Sequence, residues 1–317
     1  MIPVDLQNLE DAARGLAGIA LRTPLVESPA LARQLGVPVW LKAEQLQPIG
    51  AFKVRGAVTA LRRLPPEVRA RGVVTHSSGN HGIAVGWAAR RLGVPAVVVV
   101  PEDAPAIKIE AIRSTGAELV LIQDRAQREP TAVRLMRERG LSFIPPYDHP
   151  DVLAGQGTCG LEILEQCPTV ETILVPVSGG GFLGGIATAV RGRKPGVRVV
   201  GVEPEGAAKL TAALAAGAPA RVEAPKSMAD GLLAPAVGAI PFQQMAGVVK
   251  EAARVSEDDL TAAVRFLWQE QGWRVEPSGA AAVAALLGGR LRPTGPTVAV
   301  VSGGNVDPEL FSRLIAG

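Results

Sequence analysis

With 317 residues the chain is long enough for one large α/β unit or two fused lobes with an ample core. An apolar fraction of 47% with aromatics at only 3% suits helices packed on buried parallel sheets, and a formal charge of +3 with no basic stripe among aromatics argues against nucleic-acid binding. No run reaches the ~18 apolar residues that span a bilayer and the start at Met1-Ile2-Pro3-Val4-Asp5 has no hydrophobic signal core, so the expectation is a soluble cytoplasmic protein acting on a small molecule, with neither nucleic acid nor membrane as partner.

Short Val/Ile/Leu runs alternate with helical periods along the chain. Residues 39–41 predict a strand and 52–64 a helix. Residues 72–75 predict a strand running into Ser77-Ser78-Gly79-Asn80-His81, then a helix over 82–92. A strand over 96–100, a helix over 106–115, a strand over 118–122, a helix over 131–139 and a short strand at 142–144 follow. After Pro145-Pro146 a second series begins, with a helix over 157–166, a strand over 172–177 and a helix over 182–191. A strand over 197–202 and an Ala-rich helix over 207–216 continue it. Ser256 with Asp259 resembles a capping box opening a helix to Gln271, and 297–301 is the last strand. Such alternation argues for open parallel sheets with right-handed crossovers. The Pro65-Pro66 break and the Pro145-Pro146 pair mark the expected lobe crossings. Cys159 and Cys167 fall on one predicted helix, about 12 Å apart at the helical rise. That is too far for a disulfide and points to a reducing compartment.

Four segments carry candidate chemistry. Gly50-Ala51-Phe52-Lys53-Val54-Arg55-Gly56 sets a lysine among glycines and a phenylalanine, in a chain with seven lysines against 26 arginines. A cation is disfavoured at a helix start, and that field together with desolvation lowers an amine's pKa. Such an amine can do covalent carbonyl chemistry that a guanidinium cannot; the competing reading is a snorkelling surface lysine. Ser178-Gly179-Gly180-Gly181 follows a strand and opens a helix, where converging N–H groups and the helix dipole suit an anion. A merely tight βα turn would look the same. It is not the dinucleotide fingerprint, since Glu203 alone approaches the acidic position that motif needs. Ser77 to His81 and Ser302-Gly303-Gly304-Asn305 also sit at strand ends, where open α/β sheets place ligands; ordinary helix capping is the plain alternative. His81 is open between a base and a supporting group, while His76 and His149 read as structural. Convergence of all four turns on one crevice is a stronger indication than any one of them.

Together these residues resemble the fold-type II pyridoxal-phosphate family, in its threonine/serine dehydratase and serine racemase branch. The likeness runs from Thr23 to the C-terminus, through Thr23-Pro24-Leu25, Leu41-Lys42-Ala43-Glu44, the lysine motif, the Ser-Ser-Gly-Asn-His turn, Pro146-Tyr147-Asp148, Ala154-Gly155-Gln156-Gly157-Thr158, the glycine loop and Val301 to Asn305. It implies a two-lobed α/β fold like that of tryptophan synthase β, with open parallel sheets and helices on both faces. The large cofactor-binding lobe would comprise 1–66 and 149–317 and the small lobe 67–148, with no C-terminal regulatory domain. Family members form dimers or tetramers, so a homo-oligomer is expected. Pyridoxal 5'-phosphate is the implied cofactor and an amino acid the implied substrate. By the resemblance Lys53 is the Schiff-base lysine that later moves the Cα proton, and Phe52 packs beside it. Asn80 meets the ring's phenolic oxygen, Ser178, Gly179, Gly180, Gly181 and Phe182 hold the phosphate, and Ser302 faces the pyridine nitrogen. Ser78 is a second acid/base, while Ser77, Ser78, Asn80, His81 and Arg128 contact substrate. The implied reaction is elimination of water from L-threonine or L-serine, giving a 2-oxo acid and ammonia.

The chain departs from the family pattern at several positions. Ala51 stands where many members have Ser, and Ser178 replaces the first glycine of a four-glycine loop. Some members bind a divalent metal through a Glu, a backbone carbonyl and an Asp; Glu203 and Ala207 fit, but Lys209 occupies the Asp position, so no divalent metal is expected. Ala234 lies where the racemase-like pattern has a substrate-contacting Ser, favouring a dehydratase over a serine racemase. A dehydratase of another β-hydroxy amino acid, such as 3-hydroxyaspartate or a phenylserine, is the other alternative. Val54 replaces the Asp of the cysteine synthase and threonine synthase lysine motif. An amino-acid sensor and a nicotinamide oxidoreductase are the readings from other classes.

Overall fold

The computed structural model describes residues 4–104 and 106–316; Met1 to Pro3, which head the segment weighed above as a signal, lie outside them. The first half runs α1 (Leu6–Leu16), β1 (Leu25–Glu27), α2 (Pro29–Leu35), β2 (Val39–Ala43), α3 (Lys53–Arg63), α4 (Pro66–Arg71), β3 (Val73–His76) and α5 (Asn80–Leu92). It continues through β4 (Ala96–Pro101), α6 (Ala106–Arg113), β5 (Glu118–Ile122), α7 (Arg128–Arg139) and β6 (Ser142–Phe143). The second half runs α8 (Pro150–Gln166), β7 (Thr172–Pro176), α9 (Gly181–Arg193), β8 (Arg198–Pro204), α10 (Lys209–Ala216) and α11 (Ala239–Met245). Last come β9 (Val249–Val255), α12 (Glu257–Gln271), α13 (Pro277–Leu287), β10 (Thr297–Val301) and α14 (Pro308–Ile315).

Among the described residues ten strands form two sheets. The larger has the order β1-β2-β10-β7-β8-β9 and the smaller β5-β4-β3-β6. Every pairing is parallel except β1 with β2 at the edge. The central strands β7 and β10 are buried throughout, as apolar runs covered by helices on both faces should be. Both sheets thus present strand C-termini that lead directly into the turns singled out by sequence.

The helix predicted from Gly157 begins seven residues earlier, at Pro150, with His149 accepting the Asp151 N–H as N-cap. Gly155, Gly157 and Gly160 mislead a propensity reading because they look like breakers. Here they permit close helix packing. A Cβ on Gly157 would lie 2.7 Å from the Gly185 carbonyl oxygen, and one on Gly155 only 2.3 Å from that of Arg55. Backbones of α3, α8 and α9 therefore meet without side chains between them, which fixes Lys53 at the head of α3 against the helix behind the glycine turn.

A buried charge cluster anchors α3 further. Arg55 donates to both Glu44 oxygens at 2.7 Å and to the two Glu162 oxygens at 2.7 and 2.9 Å. Lys42 pairs with Glu162 at 2.6 Å and also reaches the Thr23 carbonyl. Two cations face two anions, so the group is neutral as a whole. Burial acts to raise the Glu44 pKa, but Arg55 and Lys42 outweigh it and hold the carboxyl below its ordinary range. Cys159 and Cys167 are both buried and free.

Candidate active site

Three of the four turns are tied together by hydrogen bonds. Ala51 bridges Gly303, the Phe52 N–H donates to the Ser302 carbonyl at 3.1 Å, and the Gly304 N–H donates to that of Gly50. The Asn305 amide donates to Asn80 Oδ1 at 2.7 Å and to the Ile49 carbonyl at 2.8 Å. Asn80 in turn donates to Glu276 Oε1 at 2.6 Å. The Asn80 side chain is thus gripped from both ends, and its amide nitrogen makes one hydrogen bond among the described residues. Glycine is needed at 303 because a Cβ there would stand 2.2 Å from Glu276 Oε1.

The fourth turn joins through aromatic contacts. Phe52 stacks on Phe182 with centroids 3.9 Å apart and planes at 11°. Tyr147 lies over the glycine turn so closely that a Cβ on Gly179 would sit 2.2 Å from its ring. Gly180 has φ of +89°, in the left-handed region that favours glycine. The turn opens α9, so its N–H groups gather at a helix N-terminus. Gln156 is buried with both amide atoms unpartnered among the described residues, and its Oε1 lies 2.7 Å from where a Gly181 Cβ would be. A polar orphan beside a side-chain-free turn fits an anionic ligand there.

Lys53 lies among these turns. Its Nζ donates to the Pro146 carbonyl at 2.7 Å and stands 5.1 Å from the Phe52 ring centroid. Burial pushes its pKa down to about 8, so an appreciable neutral fraction exists near neutral pH. Glu276 moves the other way, up to about 8, because of burial and then Asp230, against Asn80 and Lys108. It is therefore mostly a neutral acid at pH 7, and Asn80 meets an uncharged oxygen. His81 is buried, with Nε2 3.0 Å from the Ile144 carbonyl; burial and then Lys53 push its pKa down to about 3. Such a ring stays neutral and takes up no second proton at physiological pH.

Ser77 accepts the Gly79 N–H through Oγ at 3.1 Å. The Ser78 and Ser302 hydroxyls make no hydrogen bond among the described residues, and the Ser178 hydroxyl accepts the Ala234 N–H at 3.3 Å. Arg128 donates through Nε to the Arg125 carbonyl at 2.9 Å and opens α7, which packs on β3, the strand that leads into Ser77 to His81. Glu203, Ala207 and Lys209 meet at the junction of β8 and α10. Glu276 was not singled out by sequence reasoning, and Tyr147 and Gln156 lay in segments of the family likeness without a role assigned to them. Glu276 had one usable signal, an acidic residue before a proline that opens an apolar helix.

Comparison with known proteins follows the same lines. A family model described as "Pyridoxal-phosphate dependent enzyme" matches residues 17–303. The L-threonine ammonia-lyase of Thermotoga maritima is 39% identical over 316 residues, covering 98% of this chain and 78% of that protein. The L-threo-3-hydroxyaspartate ammonia-lyase of Saccharomyces cerevisiae is 37% identical over 309 residues, 97% of this chain and 95% of that one. Among solved structures, a threonine deaminase from T.th. superposes with a TM-score of 0.90 at 42% identity, covering 96% of this chain and 99% of that one. Maize serine racemase superposes with a TM-score of 0.94 at 33% identity, covering 99% and 98%.

Proposed function

The chain belongs to the pyridoxal-phosphate-dependent enzymes, and from that premise we propose that it removes water from L-threonine and L-serine, releasing 2-oxobutyrate or pyruvate with ammonia. When bound, pyridoxal phosphate supplies an electrophilic aldehyde and a conjugated ring that draws electrons from the substrate Cα. The remaining work falls to the chain's own side chains. Lys53 would hold the cofactor through its amine and would serve as the base for the substrate Cα proton. Ser178 to Phe182 would hold the phosphate through N–H groups at the head of α9, and the Asn80 amide would donate to the phenolic oxygen. Ser302 would offer the pyridine nitrogen a hydroxyl where a carboxylate would fix a positive charge, a setting that would favour elimination. Ser78 is the second proton-transfer group, and Phe52 stacked on Phe182 keeps water from Lys53.

The observation that carries this reading is the desolvated Lys53 amine held against the Pro146 carbonyl among turns that fit a ring and a phosphate. Substrate choice rests on charge. Lys108 is already paired with Asp230, which favours a neutral β-substituent over the second carboxylate of 3-hydroxyaspartate. The test is 2-oxo acid release from L-threonine, L-serine and L-threo-3-hydroxyaspartate, with chiral analysis of the residual amino acid. Threonine and serine should give the higher kcat/KM. A preference for 3-hydroxyaspartate, or racemisation faster than oxo-acid release, would replace this assignment.

Cofactor loading gives a second expectation. Only the neutral Lys53 amine attacks an aldehyde, so reconstitution of the apoenzyme should quicken about tenfold per unit as pH rises towards 8, then level off. Stopped-flow absorbance reads the rate. An increase continuing to pH 10 would mean that Lys53 titrates as an ordinary lysine.

A further inference from the structure

The divalent-metal site that the family resemblance implies for some members does not fit the residues at the β8–α10 junction. We propose that Lys209 is a tethered cation whose ammonium fills an oxygen cage made by Glu203, Ala207 and Leu232, and that it staples the segment after Leu232 against the glycine turn. Lys209 is fully buried, as is Glu203. Its Nζ donates to the Ala207 carbonyl at 2.9 Å and the Leu232 carbonyl at 2.7 Å, with Glu203 Oε2 at 3.9 Å. Lys209 opens α10, where the helix dipole works against a positive charge. Nothing local therefore favours an ammonium there except these oxygens.

The Glu203 carboxylate is otherwise committed to the helix. It accepts the Leu210 N–H at 2.7 Å, the Thr211 N–H at 2.8 Å and the Thr211 hydroxyl at 2.7 Å. Its buried negative charge is balanced by Lys209, and a divalent ion would meet that ammonium at the same oxygens. The consequence reaches the site through the chain. Two residues beyond Leu232, the Ala234 N–H donates to the Ser178 hydroxyl, and the Gly238 N–H donates to the Gly179 carbonyl at 3.0 Å. Lys209 is a positioning residue in this arrangement, since it touches neither substrate nor cofactor.

The experiment compares wild type, Lys209→Met and Lys209→Asp by thermal melting, isothermal titration with Mg²⁺ and Ca²⁺, and pyridoxal-phosphate affinity, each after EDTA dialysis. Wild type should bind neither ion, melt unchanged on adding them, and keep its cofactor affinity. Lys209→Met fills the space without charge; it should melt lower and bind the cofactor about tenfold more weakly, with no ion restoring either. Lys209→Asp sets two carboxylates beside two carbonyls and should recover melting temperature and cofactor affinity only with Mg²⁺ or Ca²⁺. Uptake of either ion by wild type, or a Lys209→Met variant that melts and binds cofactor like wild type, overturns the proposal. If Lys209→Asp is recovered unfolded, those two arms decide it, because neither depends on that variant.

Discussion

Lys53→Ala is expected to lower kcat by about 10⁴-fold while leaving the protein folded. The change removes the nucleophilic amine that stands among the four turns and one hydrogen bond, to the Pro146 carbonyl. Alanine is a good helix former at the head of α3, so stability should shift by no more than about 1 kcal/mol. Lys53→Arg should be as inactive, because a guanidinium keeps its proton and cannot attack a carbonyl. Borohydride reduction of cofactor-saturated protein should fix one cofactor on Lys53 in wild type and none in either variant, as read by peptide mass spectrometry. Activity within tenfold of wild type in Lys53→Ala would remove the basis of the assignment.

Arg55→Ala should have the largest effect on stability. Two carboxylates, Glu44 and Glu162, would lose their shared guanidinium in a buried setting. Breaking such a pair costs about 3–5 kcal/mol, since the remaining charge is stranded, and at this chain length that corresponds to a drop of ~10 °C in melting temperature. Arg55→Lys should rescue only part, because one ammonium cannot serve two carboxylates bidentately. The pH dependence has a definite sign. The Glu44 pKa is depressed in the folded state, with burial opposing and Arg55 prevailing. Its contribution is therefore present above the ordinary carboxylate pKa and is lost as pH falls through the lower folded value. Melting curves into acid should flatten for Arg55→Ala relative to wild type; parallel curves would show that Glu44 is not what Arg55 holds.

The four turns were legible because Gly, Ser and Asn at strand ends leave a strong local signature. Assembly of three turns through Asn80, Asn305 and Glu276 was not, since it joins residues 196 to 225 positions apart. The Arg55 cluster was hidden for the same reason. Its arginine read as part of the lysine motif, while its role depends on Glu162, 107 residues away. Among elements, α13 escaped notice because it is buried on nearly every side and has no amphipathic period. β9 was missed for the opposite reason: it lies at the sheet edge, and its polar, partly exposed residues dilute the apolar run.

The position of β10 bears on how the molecule is made. It is the last strand along the chain, yet it sits between β2 and β7 inside the larger sheet and carries Ser302 to Asn305 at its end. During synthesis β2 and β7 must wait, each with one open edge, until residues 297–301 have left the ribosome. Nascent protein short of residue 297 cannot close that gap, so cofactor capture and completion of folding should coincide, and premature termination should yield aggregation-prone chains with no reactive pocket.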